Sequence, residues 1–193
     1  PAASGSVGLK IHLRGGSGGH SGMDIHKGLM NANKQMNRLL MELSESIDFQ
    51  ISEVDGGGLR NAIPRESVAV IAVKETDLAS AQTALQASFA RIQAEHSTTD
   101  PAVTLDLETV DAPADVLPAM TAKALLLAIQ ACPVGIHRMS PDIDDLVQTS
   151  NNLARVQVGN GDVAIQCLCR SHFHIKTCKL YNKLHIFNPT IWI

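Results

Sequence analysis

No excess of positive charge marks this chain: 16 Lys and Arg stand against 19 Asp and Glu, for a net charge of −3 and a pI near 6.2. Binding to nucleic acid would leave a basic stripe or patch, so no nucleic-acid partner is expected. No apolar run comes close to the ~20 residues of a membrane span, so no membrane association is expected either. The longest run, Ala122 to Ala131, is interrupted by Lys123 and Gln130 and predicts a buried helix. Four cysteines in 193 residues are too few for a disulfide scaffold, which points to a cytoplasmic location. The start, Pro1-Ala2-Ala3-Ser4-Gly5-Ser6, lacks the basic and apolar regions of a secretory leader and lacks Met, so it reads as the interior of a longer product. Aromatic residues are only 3% of the chain, yet two of the four Phe, the one Tyr and the one Trp fall between Ser171 and Ile193.

What the chain does have is 45% hydrophobic residues, ample for a core, and a concentration of glycine in Gly15-Gly16-Ser17-Gly18-Gly19-His20-Ser21-Gly22. A loop with so few side chains can approach a ligand or another chain closely. Val7, Leu9, Ile11 and Leu13 alternate as a strand running into it, and a helical pattern leaves it from Asn31 to Ser46, with Met36, Leu39, Leu40 and Leu43 on one face. His20 is thus carried on a loop between a strand and a helix, a common place for functional side chains.

The remaining periodicities predict a strand through Phe49, Ile51 and Val54 and a central strand from Ser67 to Val73. A helix follows from Leu78 to His96, N-capped from Glu75-Thr76-Asp77, and then a strand through Val103, Leu105 and Leu107. The order β-α-β-β-α-β over residues 1–110 predicts an α+β, ferredoxin-like two-layer sandwich. Residues 111–170 add a helix from Leu117 to Gln130, a segment Gly135 to Met139, and a hairpin pairing Leu146 to Val158 with Val163 to Arg170 across Gly159-Asn160-Gly161-Asp162. Residues 171–193 break the pattern, as a frameshifted or read-through end would, or a divergent tail.

Several ordered motifs carry a family resemblance. Gly18-Gly19-His20-Ser21-Gly22-Met23-Asp24-Ile25-His26, Asn31-Ala32-Asn33-Lys34 and Asn61-Ala62-Ile63-Pro64-Arg65-Glu66 resemble the aminoacyl-histidine dipeptidases, also called Xaa-His or cytosol non-specific dipeptidases. Arg138 to Ile143, Val147 to Ala154 and Ile165 to Ser171 extend the similarity, which runs collinearly from about Ser6 to Ser171. That family belongs to the dizinc peptidases related to aminoacylase and carnosinase. The resemblance implies that this chain is the lid and homodimerisation portion, acting on a dipeptide substrate together with a catalytic domain that it lacks. Two divalent metal ions, zinc in the first instance, would be held by that domain, and no residue of this chain is assigned as a metal ligand.

By the same resemblance His20 is the catalytic candidate, donating to the oxyanion formed at the scissile carbonyl. An imidazole N–H where water is excluded suits that task. Arg170 is the substrate-binding candidate for the terminal carboxylate, which a planar guanidinium can grip through two bonds. Asn33 and Asn152 are further substrate-binding candidates, with Asn61 beside them; capping or turn roles are the alternative for all three. His26 and Arg65 are read chiefly as structural or surface residues. Cys167-Leu168-Cys169 with His172, His174 and Cys178 has zinc-like spacing, but Cys167 and Cys169 share one strand face and read as small core residues. A different class of function stays open: a non-catalytic ferredoxin-like module whose task is association.

Overall fold

The computed structural model describes residues 1–172. The zinc reading at His174 and Cys178, and the frameshift reading beyond His172, lie outside the described residues.

Strand β1 (Ser6–Arg14) leads into a two-residue strand β2 (Gly19–His20) and helix α1 (Ala32–Leu43). There follow β3 (Phe49–Gly56), the short β4 (Ala62–Ile63), β5 (Ser67–Lys74), α2 (Leu78–Glu95) and β6 (Thr104–Val110). The second segment supplies α3 (Ala119–Ala131), β7 (Gly135–Met139), β8 (Val147–Gly159) and β9 (Asp162–Ser171). Apart from the β2–β4 pair, the strands form one antiparallel sheet in the order β6-β1-β5-β3-β8, with β7 and β9 also on β8. The β6-β1-β5-β3 part has the strand order of a ferredoxin-like sandwich, and the protein is α+β.

The alternation read in β1 is the packing alternation: Leu9, Ile11 and Leu13 are fully buried and join Met36, Leu39, Leu40 and Leu43 of α1 in one core. In β3 the core residues Ile51 and Val54 are three apart, which a regular strand cannot put on one face. A β-bulge between Ile51 and Glu53 adds the residue that brings Val54 back to the core. The β8–β9 hairpin turns through Asn160 and Gly161, both at positive φ (53° and 84°), as a two-residue hairpin turn requires.

Two expectations are corrected. Residues Glu75–Asp77 form a 3-10 turn, and Asp77 makes no side-chain cap bond to α2. Helix α3 is buried on one face only, through Leu125, Ala128 and Ile129, while Met120 and Leu127 are exposed. Its apolar run is longer than the stripe it buries. Its C-terminus is held by Lys34, whose Nζ donates to the carbonyls of Ile129, Gln130 and Cys132 at 2.8, 2.6 and 2.9 Å. A cation there satisfies carbonyls that have no helical partner.

Gly56, at the end of β3, allows α1 to approach the sheet. A Cβ there would collide with Asn33 Oδ1 and sit 2.6 Å from Ser67 Oγ. Gly56→Ala is expected to destabilise the chain by about 2–4 kcal/mol in urea titration, the range of a forced core overlap with buried polar neighbours. A loss under 0.5 kcal/mol would show that α1 does not seat on the sheet as described.

Candidate functional site

The glycine loop is pinned at both ends by one carboxylate. Asp100, 0% exposed, accepts Ser17 N–H on Oδ1 at 2.7 Å and Met30 N–H on Oδ2 at 2.8 Å. Burial alone would raise its pKa, but these backbone donors, with help from Thr99 and the Ser17 side chain, outweigh it and hold the carboxyl below its usual range. His96 Nδ1 stands 3.8 Å from Oδ2. Ser17 Oγ also donates to Thr99 O at 2.8 Å, and Gly16 N–H to Arg65 O at 3.0 Å. Gly18, at φ +62°, lies under the Arg65 side chain, where a Cβ would collide.

Between these feet the loop forms the β2–β4 ladder, with His20 opposite Ala62 and Gly19 opposite Ile63. Ser21 N–H donates to Asn61 O at 2.8 Å. His20 N–H donates to Asp24 Oδ2 at 2.7 Å, and Asp24 Oδ1 pairs with Lys27 Nζ at 2.7 Å. The Lys27 bond, and then the His20 amide, hold the Asp24 carboxyl below its usual range. The His20 ring faces the turn with one nitrogen: Nδ1 accepts the N–H groups of Gly22 and Met23 at 3.3 and 3.1 Å. An Nδ1 that accepts cannot carry the proton, so the neutral ring carries it on Nε2. His20 is half-buried and lines an open cleft of about 1050 Å³, together with Asn61, Arg65, His12 and Arg155. A hydrogen bond between His12 Nε2 and Glu66 at 3.1 Å and an ion pair between Arg155 and Asp55 at 2.6 Å cross its lining.

Arg170 reaches the same loop from β9. A Cβ on Gly22 would stand 3.0 Å from its Nε and 3.2 Å from its Cζ, so the guanidinium lies flat against that glycine. Its Nε is buried and has no hydrogen-bond partner among the described residues. A buried donor left unpaired is costly, and a ligand acceptor would satisfy it. The loop thus brings His20 and Arg170 to within two residues of each other along its backbone, although Arg170 is not part of the cleft lining.

Asn33 and Asn152, the further substrate-binding candidates, lie inside the chain. They are 2% and 0% exposed. Asn33 Nδ2 donates to Gly56 O at 3.2 Å, and Asn152 Nδ2 to Ala62 O at 2.8 Å. Asn31, whose Oδ1 caps α1 through Lys34 N–H at 3.1 Å, donates Nδ2 to Asn152 Oδ1 at 3.2 Å. The Nδ2 groups of Asn33 and Asn152 are committed to backbone carbonyls, while Asn33 Oδ1 is buried with no hydrogen-bond partner among the described residues; Ala62, held by Asn152, is the ladder partner of His20. His26 is exposed on the 3-10 turn Ile25–Lys27. Asp100, Asn31 and the β2–β4 ladder escaped the sequence reading; an aspartate before Pro101 in a polar turn carries no signal that sets it apart.

Among the described residues no three His, Cys, Asp or Glu side chains converge as a metal site requires, and the residues present do not fit the two divalent ions implied by resemblance. Among them, too, no helix is long and apolar enough to cross a membrane.

A family model described as the peptidase dimerisation domain matches residues 4–100, just over half of the chain, and the chain belongs to that family. Among individual proteins it is 34% identical over 163 residues to the cytosol non-specific dipeptidase of Escherichia coli (strain K12), covering 84% of this chain and 34% of that protein. It also matches the crystal structure of aminoacylhistidine dipeptidase from Vibrio alginolyticus with a TM-score of 0.91 at 29% identity, covering 96% of this chain and 38% of that one. The chain therefore spans little more than a third of the length of these relatives.

The Asp100 clamp gives a pH-dependent prediction. A group whose pKa is lowered by folding contributes stability above its unfolded value, near 4, and that contribution is lost as pH falls through the lowered value. Asp100→Asn is expected to cost about 2–3 kcal/mol at pH 7, the scale of charged hydrogen bonds, and the gap to the parent should narrow below about pH 4 in urea titrations. An unchanged gap between pH 7 and pH 3 would remove the charge from this account.

Proposed function

We propose that this chain is the lid and dimerisation portion of a metal-dependent dipeptidase that hydrolyses unblocked dipeptides, Xaa-His among them. The observation that carries the reading is the state of His20: its Nδ1 is occupied by the turn, and its Nε2 has no hydrogen-bond partner among the described residues, while the residue lines a cleft. In the assembled enzyme the Nε2–H donates to the negative charge that develops on the scissile carbonyl oxygen. Arg170, with its unpaired Nε beside the same loop, holds the substrate's terminal carboxylate and so fixes peptide length. Asn33 and Asn152 are positioning residues, since they hold the backbone against which His20 is laddered. Lid closure excludes water and strengthens both contacts. The chain forms a homodimer through this portion, as membership in a dimerisation-domain family supports. The two divalent ions, zinc by resemblance, belong to the catalytic domain that would accompany it, and the working location is the cytoplasm.

In the longer protein His20→Ala is expected to lower kcat by about 10²–10³ with little change in KM, the usual effect of losing one oxyanion donor. Arg170→Ala is expected instead to raise KM for free dipeptides and to leave their C-terminal amides almost unaffected. Steady-state kinetics on Xaa-His and its amide read both. Equal loss on dipeptide and amide would remove the carboxylate role, and a His20 variant with parental kcat would remove the oxyanion role. The chain by itself should show no dipeptidase turnover; chelator-sensitive cleavage by this chain alone would overturn the assignment.

A further inference from the structure

A pair of thiols lies buried outside everything the proposed activity uses. Cys132, at the C-terminal cap of α3, is 3% exposed and Cys167, in the middle of β9, is 0% exposed. Their sulfurs are 3.3 Å apart, and both are free thiols. A disulfide needs about 2.05 Å between sulfurs, so closing the bond asks for an approach of about 1.2 Å. Cys167 lies on a paired strand, whereas Cys132 is the C-cap of a helix, its N–H bound to the carbonyls of Ala128 and Ile129 and its own carbonyl to Lys34.

The two sulfurs share one S–H···S contact in which either can donate. With the proton on Cys132, the contact favours the thiolate at Cys167 and pushes the Cys132 thiol up. Burial opposes charge at Cys167, whereas the Asn151 side chain and the Lys34 ammonium favour it; Lys34, fixed on the Cys132 carbonyl at 2.9 Å, favours charge at Cys132 as well, and Asn151 Nδ2 also reaches Cys132 Sγ at 3.6 Å. Cys169 is one strand step away on the same face, but burial pushes its thiol up to about 12 and its S–H is bound to Asn151 Oδ1 at 2.9 Å. Two sulfurs therefore stand in contact beside a fixed ammonium, with Cys167 the nucleophile when the shared proton is on Cys132, and the third cysteine is held out of the reaction.

The geometry points to Cys132 and Cys167 as a site of reversible oxidation, forming an intramolecular disulfide with hydrogen peroxide as oxidant. The Cys167 thiolate attacks one peroxide oxygen; the S–O bond forms, the O–O bond breaks, and the departing hydroxide takes a proton to leave as water. The Cys132 sulfur then attacks the sulfenic sulfur; the S–S bond forms, the S–O bond breaks, and the thiol proton leaves with the second water. Two thiols and one peroxide give one disulfide and two waters. Because both sulfurs are closed off, the reaction follows local opening of the end of α3 and is slow in the native chain. The product ties α3 covalently to β9, three residues from Arg170.

The test treats the whole chain with hydrogen peroxide and maps tryptic peptides without reduction. The expected result is a Cys132–Cys167 linked peptide, two fewer free thiols in denaturant, a rise in Tm of about 5–10 °C, and full reversal by dithiothreitol. Cys169→Ser should leave the linkage intact. Cys132→Ser should abolish it and carry Cys167 on to the sulfinic acid; the parental peptide map decides the matter even if this variant folds poorly. A link from Cys167 to Cys169 or Cys178, or between chains, would overturn the assignment. So would two intact thiols after the exposed Met23 and Met120 have become sulfoxides.

Discussion

Everything offered by the His20 loop rests on a single buried carboxylate. Asp100 spans Ser17 and Met30, thirteen residues apart in sequence, and so turns a glycine-rich segment with high conformational freedom into a closed ring. Glycine lets the backbone pass under Arg65, but it costs more entropy to fix than any other residue. Charged hydrogen bonds to both feet of the loop are an effective way to offset that cost, because each is stronger than its neutral counterpart.

A second level of restraint comes from the asparagines. Asn31, Asn33 and Asn152 form a buried polar layer between α1, the end of β3 and β8, and Asn152 passes the restraint to Ala62. Buried amides of this kind hold geometry because each unmade bond would be expensive. The consequence for His20 is that its backbone, its ring orientation and its tautomer are all fixed by local bonds, while Nε2 is left over. Arg170 shows the same pattern from β9: its stem is packed against Gly22, and its Nε has no partner among the described residues.

The sheet was legible wherever side chains alternate strictly or run apolar, as in β1 and β5, and the β8–β9 turn was legible because Asn-Gly states its own conformation. His20 stood out because five glycines surround it. The rest was hidden for physical reasons. The bulge in β3 shifts the pattern by one residue, and the strand remains recognisable only because its core residues are large. The polar run Gln148-Thr149-Ser150-Asn151-Asn152 is buried, although its composition suggests a surface. The roles of Asn33, Asn152 and Asp100 depend on which carbonyls and amides the fold brings to them, and those partners come from as far as 120 residues away.

Strand β8 has consequences for how the whole unit can move. It pairs with β9 along nearly its full length and with β3 and β7 on its other side. Residues 111–170 join the sheet of the first segment through the β3–β8 register at Val54–Val158, Asp55–Gln157 and Gly56–Val156, and sliding one segment against the other would break those rungs. His20 on the loop of β1 and Arg170 on β9 then travel with a constant separation. In the proposed lid, a peptide longer than that separation would not be accommodated by flexing the chain.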